Sequence, residues 1–302
     1  MDFSDFPNYF QAASKAAAKY QRYYKSIKRS AVILLILAVV VALYGLRYSE
    51  DLTIVYSVVG VLLWSSFVLA VWLMTKKYDQ LWQDSLSLES SCKTATWQFI
   101  MEVGEFATQG DRTELQKTFD NRMQKIVKVY QQLIPNLDTA VLKQELITDK
   151  MFELRTGTFE EKKSFYGECR IRSLSDHYFN KVVEYHQKYK LWSLNLVLAH
   201  VFAVGAIIFL LLNINATWSS IVLVTMLVSS ILSWLELQSN LERKQRYTLA
   251  LRELEVIQQE LDSVEVDAQL ADFVQDTERV ISSPHAFWLV PGDARRKQEV
   301  LV

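Results

Sequence analysis

LWSLNLVLAHVFAVGAIIFLLLNINATWSSIVLVTMLVSSILSWL, residues 191–235, is 45 residues long and contains no Lys, Arg, Asp or Glu. Its one histidine, His200, lies in the first half, and Asn213-Ile214-Asn215 stands at the midpoint. An apolar run of about 18 residues or more can cross a ~30 Å hydrocarbon layer at 1.5 Å per residue. As one helix this stretch would be about 68 Å long, roughly twice what a bilayer holds. It has to turn back. Asn tolerates turn geometry, and Asn215 or Thr217 can cap the returning helix, so the reversal falls at Asn213-Ile214-Asn215. The reading is two spans, 191–212 and 217–235, joined by a tight outer turn.

The same logic gives an earlier hairpin. AVILLILAVVVALYGL (31–46) and LTIVYSVVGVLLWSSFVLAVWLM (52–74) are both free of charge and are joined by RYSED. The first is short for a span, so Lys28 and Arg29 would have to reach out to the headgroups. Helices apolar on every face are rarely accepted by a soluble core, which argues against two buried hairpins in a soluble bundle. The fold expected is therefore an all-α membrane protein: two helical hairpins, four transmembrane helices, with long cytoplasmic helical extensions.

Basic residues set the orientation. Lys15, Lys19, Arg22, Lys25, Lys28 and Arg29 precede the first span, and Lys76 and Lys77 follow the second. Lys181, Lys188 and Lys190 precede the third, while Arg243, Lys244 and Arg246 follow the fourth. The outer turns carry only Arg47, offset by Glu50 and Asp51. All four flanks place both termini and the long middle segment in the cytoplasm of a multi-pass inner (plasma) membrane protein. No cleavable signal is expected at the polar, Tyr/Lys-rich start. Cys92 and Cys169 both fall on the reducing side and are read as free thiols.

The pattern repeats. Each half runs from a Tyr/Lys-rich amphipathic helix through a span, a short turn and a second span into a long polar helix. With only 8 Gly and 4 Pro, the polar parts read as helices over 76–107, 113–133, 159–189, 236–262 and 267–282. Breaks are expected at Gly110-Asp111, Pro135-Asn136, Thr156-Gly157 and Ser283-Pro284. The units are drawn as 1–110, a cytoplasmic helical connector 111–158, a second unit 159–290 and a loose tail 291–302.

No catalytic, cofactor or metal constellation is found. The chain has no GxxxxGK[ST], GxGxxG, HExxH or CxxC. His177 and His186 are nine apart, the wrong interval for two ligands on one helix face, and Asp176-His177 are adjacent residues that do not face each other. The reading is not an enzyme, with no cofactor. His200, halfway along the third span, is either an ionisable group with a function or a neutral imidazole bonded to a neighbour such as Asn195, Ser229 or Ser230. Thr225, Ser229 and Ser233 recur every four residues and lead to Glu236 and Asn240; that stripe either lines a water-filled path in an oligomer or makes a helix contact. Trp72, Tyr78, Trp192 and Trp234 fit an interfacial aromatic belt.

WQDSLSLESSCKTATWQFIMEVGEF (82–106) resembles the SLATT family of two-span membrane effectors, in which an ES pair, a KT pair and a Trp follow the second span. Glu89, Ser90, Lys93, Thr94 and Trp97 carry it here. ITDKMFELRTGTFEEKKSFYGECRI (147–171) looks like the entry to a second unit of another branch, through Thr148, Met151, Leu154, Arg155, Glu161, Lys162 and Tyr166. Residues 250–289 are similar to that unit's tail, and Ser173-Leu174 stands where the pattern has Asp-Gln. The resemblance implies an effector that acts in nucleotide-signalling conflict systems by forming a pore or disrupting the membrane. The expected function is a homo-oligomeric pore or channel gated through the cytoplasmic helices in antiviral defence. Its expected partners are the lipid bilayer, copies of itself and a cytoplasmic activating partner or nucleotide signal, with no nucleic acid. The alternative is a non-conducting membrane-anchored scaffold or sensor.

Overall fold

The structure, a computed structural model, describes residues 1–48, 52–107, 110–212 and 219–282. Its helices in chain order are α1 (Asn8–Tyr48), α2 (Leu52–Lys76), α3 (Tyr78–Ile100), α4 (Arg112–Val129), α5 (Thr139–Leu142), α6 (Asp149–Arg155), α7 (Phe159–Tyr166), α8 (Ser173–Leu212), α9 (Ser219–Asp262) and α10 (Asp267–Ser282). A π-turn, Gly167–Arg172, joins α7 to α8. No strand occurs among the described residues, so the all-α reading holds.

Several helix starts follow the chain's own capping chemistry. The side chains of Asp111 and Thr148 accept from the first turns of α4 and α6, and Thr158 with Glu161 forms a reciprocal capping box on α7. Pro135 sits in a single 3₁₀ turn, Ile134–Asn136, where its missing N–H costs nothing. The amphipathic helix before the first span runs straight into that span as one unbroken helix, α1. One expectation changes. Within the part expected as one long helix after the second span, α3 ends at Ile100, where Glu102 takes a left-handed φ of 57° and Gly104 one of 62°. The turn residues 213–218, the junction 49–51 and the tail from 283, including the Ser283-Pro284 break, lie outside the described residues.

The chain divides into two compact units that cut across its two halves. One comprises 1–22, 79–180 and the part from 246 on; the other comprises 23–78 and 181–245. In the second unit, α1 and α2 form an antiparallel pair: the Ser66 hydroxyl donates to the Ala31 carbonyl at 3.0 Å, and Gly45 lies against Val55. The helical stretch Thr53–Phe106 contains the one window among the described residues that is long and apolar enough to cross a membrane, and only 11% of that window is buried. A soluble core helix would be mostly covered. Here Val61, Trp64 and Met74 are 65%, 67% and 79% exposed, the pattern of a helix whose solvent is hydrocarbon.

Gly45 is a tight point of that pair. A Cβ there would stand 2.4 Å from Val55 Cγ1, so Gly45→Ala forces the helices apart. Overpacking of this kind costs about 1–3 kcal/mol. The expected result is a lower melting temperature of the detergent-solubilised protein, recovered in part by adding Val55→Ala.

In the first unit α3 is the central helix. Its small buried residues, Ser85, Ser87, Ser91, Cys92, Thr94, Ala95 and Thr96, permit close packing, and Ala12, Ala13, Ala16 and Ala17 of α1 are buried as well. Hydroxyls of Ser85, Ser91 and Thr96 donate to carbonyls one turn back in α3. At the far end Phe99, Phe106, Phe119 and Phe152 form an aromatic nest with ring centroids 5.2–5.9 Å apart.

Candidate functional site

α10 is amphipathic, with Leu270, Val274, Thr277 and Ile281 on its buried face. Glu278 lies on that same face, and its side chain is fully buried. A lone buried carboxylate is untenable, so it must be paired and hydrogen-bonded. Four donors converge on it. Arg170 donates from Nε to one carboxylate oxygen and from Nη2 to the other, both at 2.7 Å. The Tyr166 hydroxyl donates at 3.0 Å and the Thr94 hydroxyl at 2.7 Å. The pair is bidentate, the geometry in which a guanidinium matches a carboxylate best.

Each donor is placed by local structure. Thr94 sits mid-way along α3. Tyr166 closes α7, and Arg170 lies within the π-turn. Gly167 opens that turn against Leu261 of α9, where a Cβ would stand 2.9 Å from Leu261 Cδ2. Lys163 adds a second tie to the end of α9 by donating to the Val264 carbonyl at 2.6 Å. Trp97, one turn after Thr94, is fully buried and meets Tyr166 edge-on at 5.5 Å and Phe165 at 5.6 Å.

The electrostatics follow. Burial opposes charge on Arg170, but the Glu278 carboxylate more than compensates and holds the guanidinium above its usual value. Burial, then Glu278, pushes the Tyr166 phenol well up. Beside them, burial and then Arg170 hold the Lys93 ammonium down at about 8, although Glu89 and Glu278 pull the other way. Burial likewise raises the Glu89 carboxyl and the Cys92 thiol, which makes Cys92 an inert interior thiol.

Lys93 therefore gives the unit a pH signature. Its folded pKa lies below the unfolded 10.5, so the charged form costs stability. That cost is fully present below about pH 8 and is relieved as pH climbs toward 10.5. Melting curves of the wild type and Lys93→Met should accordingly draw together over that interval, with the variant more stable at pH 7. An unchanged difference from pH 7 to 10 would contradict the assignment.

A second cation stabilises the end of α3. Arg155 donates to the Phe99 carbonyl at 2.5 Å and the Phe106 carbonyl at 2.7 Å, and its guanidinium lies 4.9 Å from the Phe99 ring centre. A cation at a helix C-terminus meets the unpaired last carbonyls and the negative end of the dipole. Glu102, in its left-handed conformation, joins Arg155 at 3.4 Å and Lys162 at 2.5 Å.

The family-motif residues of the sequence thus fall into one unit. Thr94, Trp97 and Tyr166 form the cluster, with Lys93 and Glu89 at its edge. Arg155 closes α3, and Met151 is fully buried. Ser90 is half-buried and makes no contact with the cluster that the structure records. Arg170, Glu278 and Glu102 were not singled out from the sequence. The readable signal for Glu278 was an acid on the apolar stripe of α10.

The span residues fare differently. His200 donates from Nδ1 to the Leu196 carbonyl of its own helix at 2.8 Å; the side chains of Ser229 and Ser230 lie outside what is described. Glu236 takes the Lys28 ammonium at 2.9 Å, so it is an ion-pair partner of α1. Asn240 donates to the Glu236 carbonyl. Thr225, Ser229 and Ser233 belong to α9, and their side chains lie outside what is described. No group of three or more His, Cys, Asp or Glu able to hold a metal occurs among the described residues.

Two family matches cover nearly the whole chain. Residues 7–163 match SMODS and SLOG-associating 2TM effector domain 3, and residues 166–288 match SMODS and SLOG-associating 2TM effector domain 1. No curated protein and no solved structure matches the chain. The boundary falls inside the cluster: Thr94 belongs to the first domain, and Tyr166, Arg170 and Glu278 to the second. The chain belongs to the SLATT family as a tandem of two such domains, and it is a membrane protein.

Proposed function

We propose that the protein is an oligomeric membrane pore or channel whose conduction is gated through its cytoplasmic helices, serving a conflict system in antiviral defence. Four spans, 31–46, 52–74, 191–212 and 217–235, carry the chain across the inner membrane with both termini inside. One chain's four helices are too few to surround a sizeable water path, so several copies assemble. Thr225, Ser229 and Ser233 are the candidate lining, and a cytoplasmic partner or nucleotide is the trigger.

The observation that carries this reading is mechanical. α1, α8 and α9 are single helices of 41, 40 and 44 residues, each of which runs without interruption from residues of the Glu278-containing unit into an apolar span. In this reading a rearrangement in that unit is passed to the spans along these continuous helices. The cluster joins both family domains, which makes it a single restraint on both hairpins.

Ion flux from liposomes reconstituted with the assembled protein tests the proposal. Conduction is expected, and Thr225→Val with Ser229→Ala should change its size or selectivity. A folded, activated oligomer that never conducts would instead support a non-conducting scaffold or sensor.

A further inference from the structure

Two exposed helix faces in the Glu278-containing unit carry opposite charge. α1 contains no Asp or Glu along its whole length. Its Ala12, Ala13, Ala16, Ala17 and Tyr20 are buried, while Lys15, Lys19 and Arg22 are exposed on the other side at intervals of four and three residues. The chain from Glu253 to Glu278 is the reverse, with nine carboxylates and no Lys or Arg, so the end of α9 and α10 present an acidic surface. Among the described residues, Lys15, Lys19, Glu253 and Glu260 form no ion pair, and Lys19 lies 5.8 Å from the Tyr20 ring centre.

The acidic face is patterned for a helix. Leu254, Ile257, Leu261 and Val264 are the buried side at the end of α9. Roughly 100° around the axis, Leu249, Glu253, Val256 and Glu260 follow at intervals of four, three and four residues and share one strip. Leu249 and Val256 are 52% and 55% exposed. Apolar residues seven apart, flanked by carboxylates seven apart, make the seam of a two-helix contact. The basic face of α1 has the same four-three spacing and the opposite sign. Lysine stems can lie on the apolar seam while their ammonium groups reach the acids.

Height above the membrane says what meets what. At 1.5 Å per residue along their own helices, Lys15 stands about 24 Å from Ala31 and Glu253 about 27 Å from Leu235. Lys19 and Leu249 stand about 18 Å and 21 Å from the same two points. The headgroup layer is roughly 5–8 Å thick, so lipid does not reach Lys15. In neighbouring copies held by one membrane, only residues at matching heights can touch. α1 runs toward the spans and α9 away from them, so the two faces would meet as an antiparallel pair with Lys15 level with Glu253.

We propose that the Lys15–Lys19 face of α1 docks on the Leu249–Glu253–Val256 strip of α9 in a second copy of this chain. The contact rests on the reading that several copies assemble with 31–46 and 217–235 in one membrane. It is head-to-tail: each copy offers its basic face to one neighbour and its acidic face to the other, the kind of contact that closes into a ring.

The test is the mass of the full chain in an uncharged detergent without added lipid, read by light scattering over a dilution series. Lys15→Glu and Glu253→Lys should each raise the dissociation constant about tenfold, because like charges then face each other. The two together restore opposite charges and should return it to within about threefold of the wild type. Lys117→Glu, on α4, should leave it alone. Wild type that assembles while neither reversal weakens it overturns this contact and leaves the oligomer reading standing. A double variant no better than the worse single variant overturns it too, since the basic face then serves some other partner. Assembly that needs added phosphatidylglycerol would make a lipid the occupant of that face and refute the protein contact. Wild type that stays monomeric with or without that lipid overturns the oligomer reading and the contact together.

Discussion

Glu278→Ala should destabilise the protein by about 3–5 kcal/mol, because it leaves the Arg170 guanidinium buried without its carboxylate. Arg170 is 3% exposed and Glu278 fully buried, so water cannot easily replace the lost partner. The Tyr166 and Thr94 hydroxyls lose their acceptor in the same step. The measurement is a denaturant or thermal melt of the solubilised protein. Glu278→Gln keeps the shape and two acceptor positions and should fall between. Arg170→Met combined with Glu278→Leu removes both charges, and the pair should recover most of the loss, since a buried ion pair contributes little net stability over a packed apolar pair. A single Glu278→Ala variant melting like the wild type would show that the cluster does not hold the unit together.

Trp97→Ala is the second large effect, about 3–5 kcal/mol. The indole is fully buried against Phe165 and Tyr166, and alanine would leave a cavity beside the π-turn. Trp97→Phe should cost far less than this. The Trp97 Nε1–H is buried with no hydrogen-bond partner among the described residues, so the smaller ring loses volume but also removes an unsatisfied donor. A Phe variant as unstable as the Ala variant would contradict this account of the packing.

How much of this was visible in the letters depends on the kind of physics involved. The helix starts near 112 and 159 were legible from the breaks at Gly110-Asp111 and Thr156-Gly157, whereas the short α6 after Thr148 was not among the expected helices. The apolar runs were legible because transfer into lipid depends on composition alone. The unbroken 41-residue α1 was legible too, because aromatics and lysines at helical spacing run straight into the apolar stretch. The left-handed Glu102 was not: its strain is offset by Arg155 and Lys162, more than 50 residues away. The Glu278 cluster draws on residues 94, 166, 170 and 278. Motif spacing pointed to Thr94 and Tyr166, but their common partner lies more than 100 residues from either, beyond any local pattern. Of the stripe near the fourth span, Glu236 makes an ion pair with Lys28 of α1, while His200 bonds a carbonyl of its own helix.

The central claim is that the cluster uniting the two family domains restrains a conduit through the membrane. Ion flux from liposomes carrying equal amounts of assembled wild-type protein or Glu278→Gln tests it most directly, with the exposed Lys150→Ala as control. A restraint weakened by about 1.4 kcal/mol shifts the open fraction roughly tenfold, so the Glu278→Gln flux should rise by that order while Lys150→Ala matches the wild type. Equal flux from all three proteins, folded and inserted alike, would contradict it.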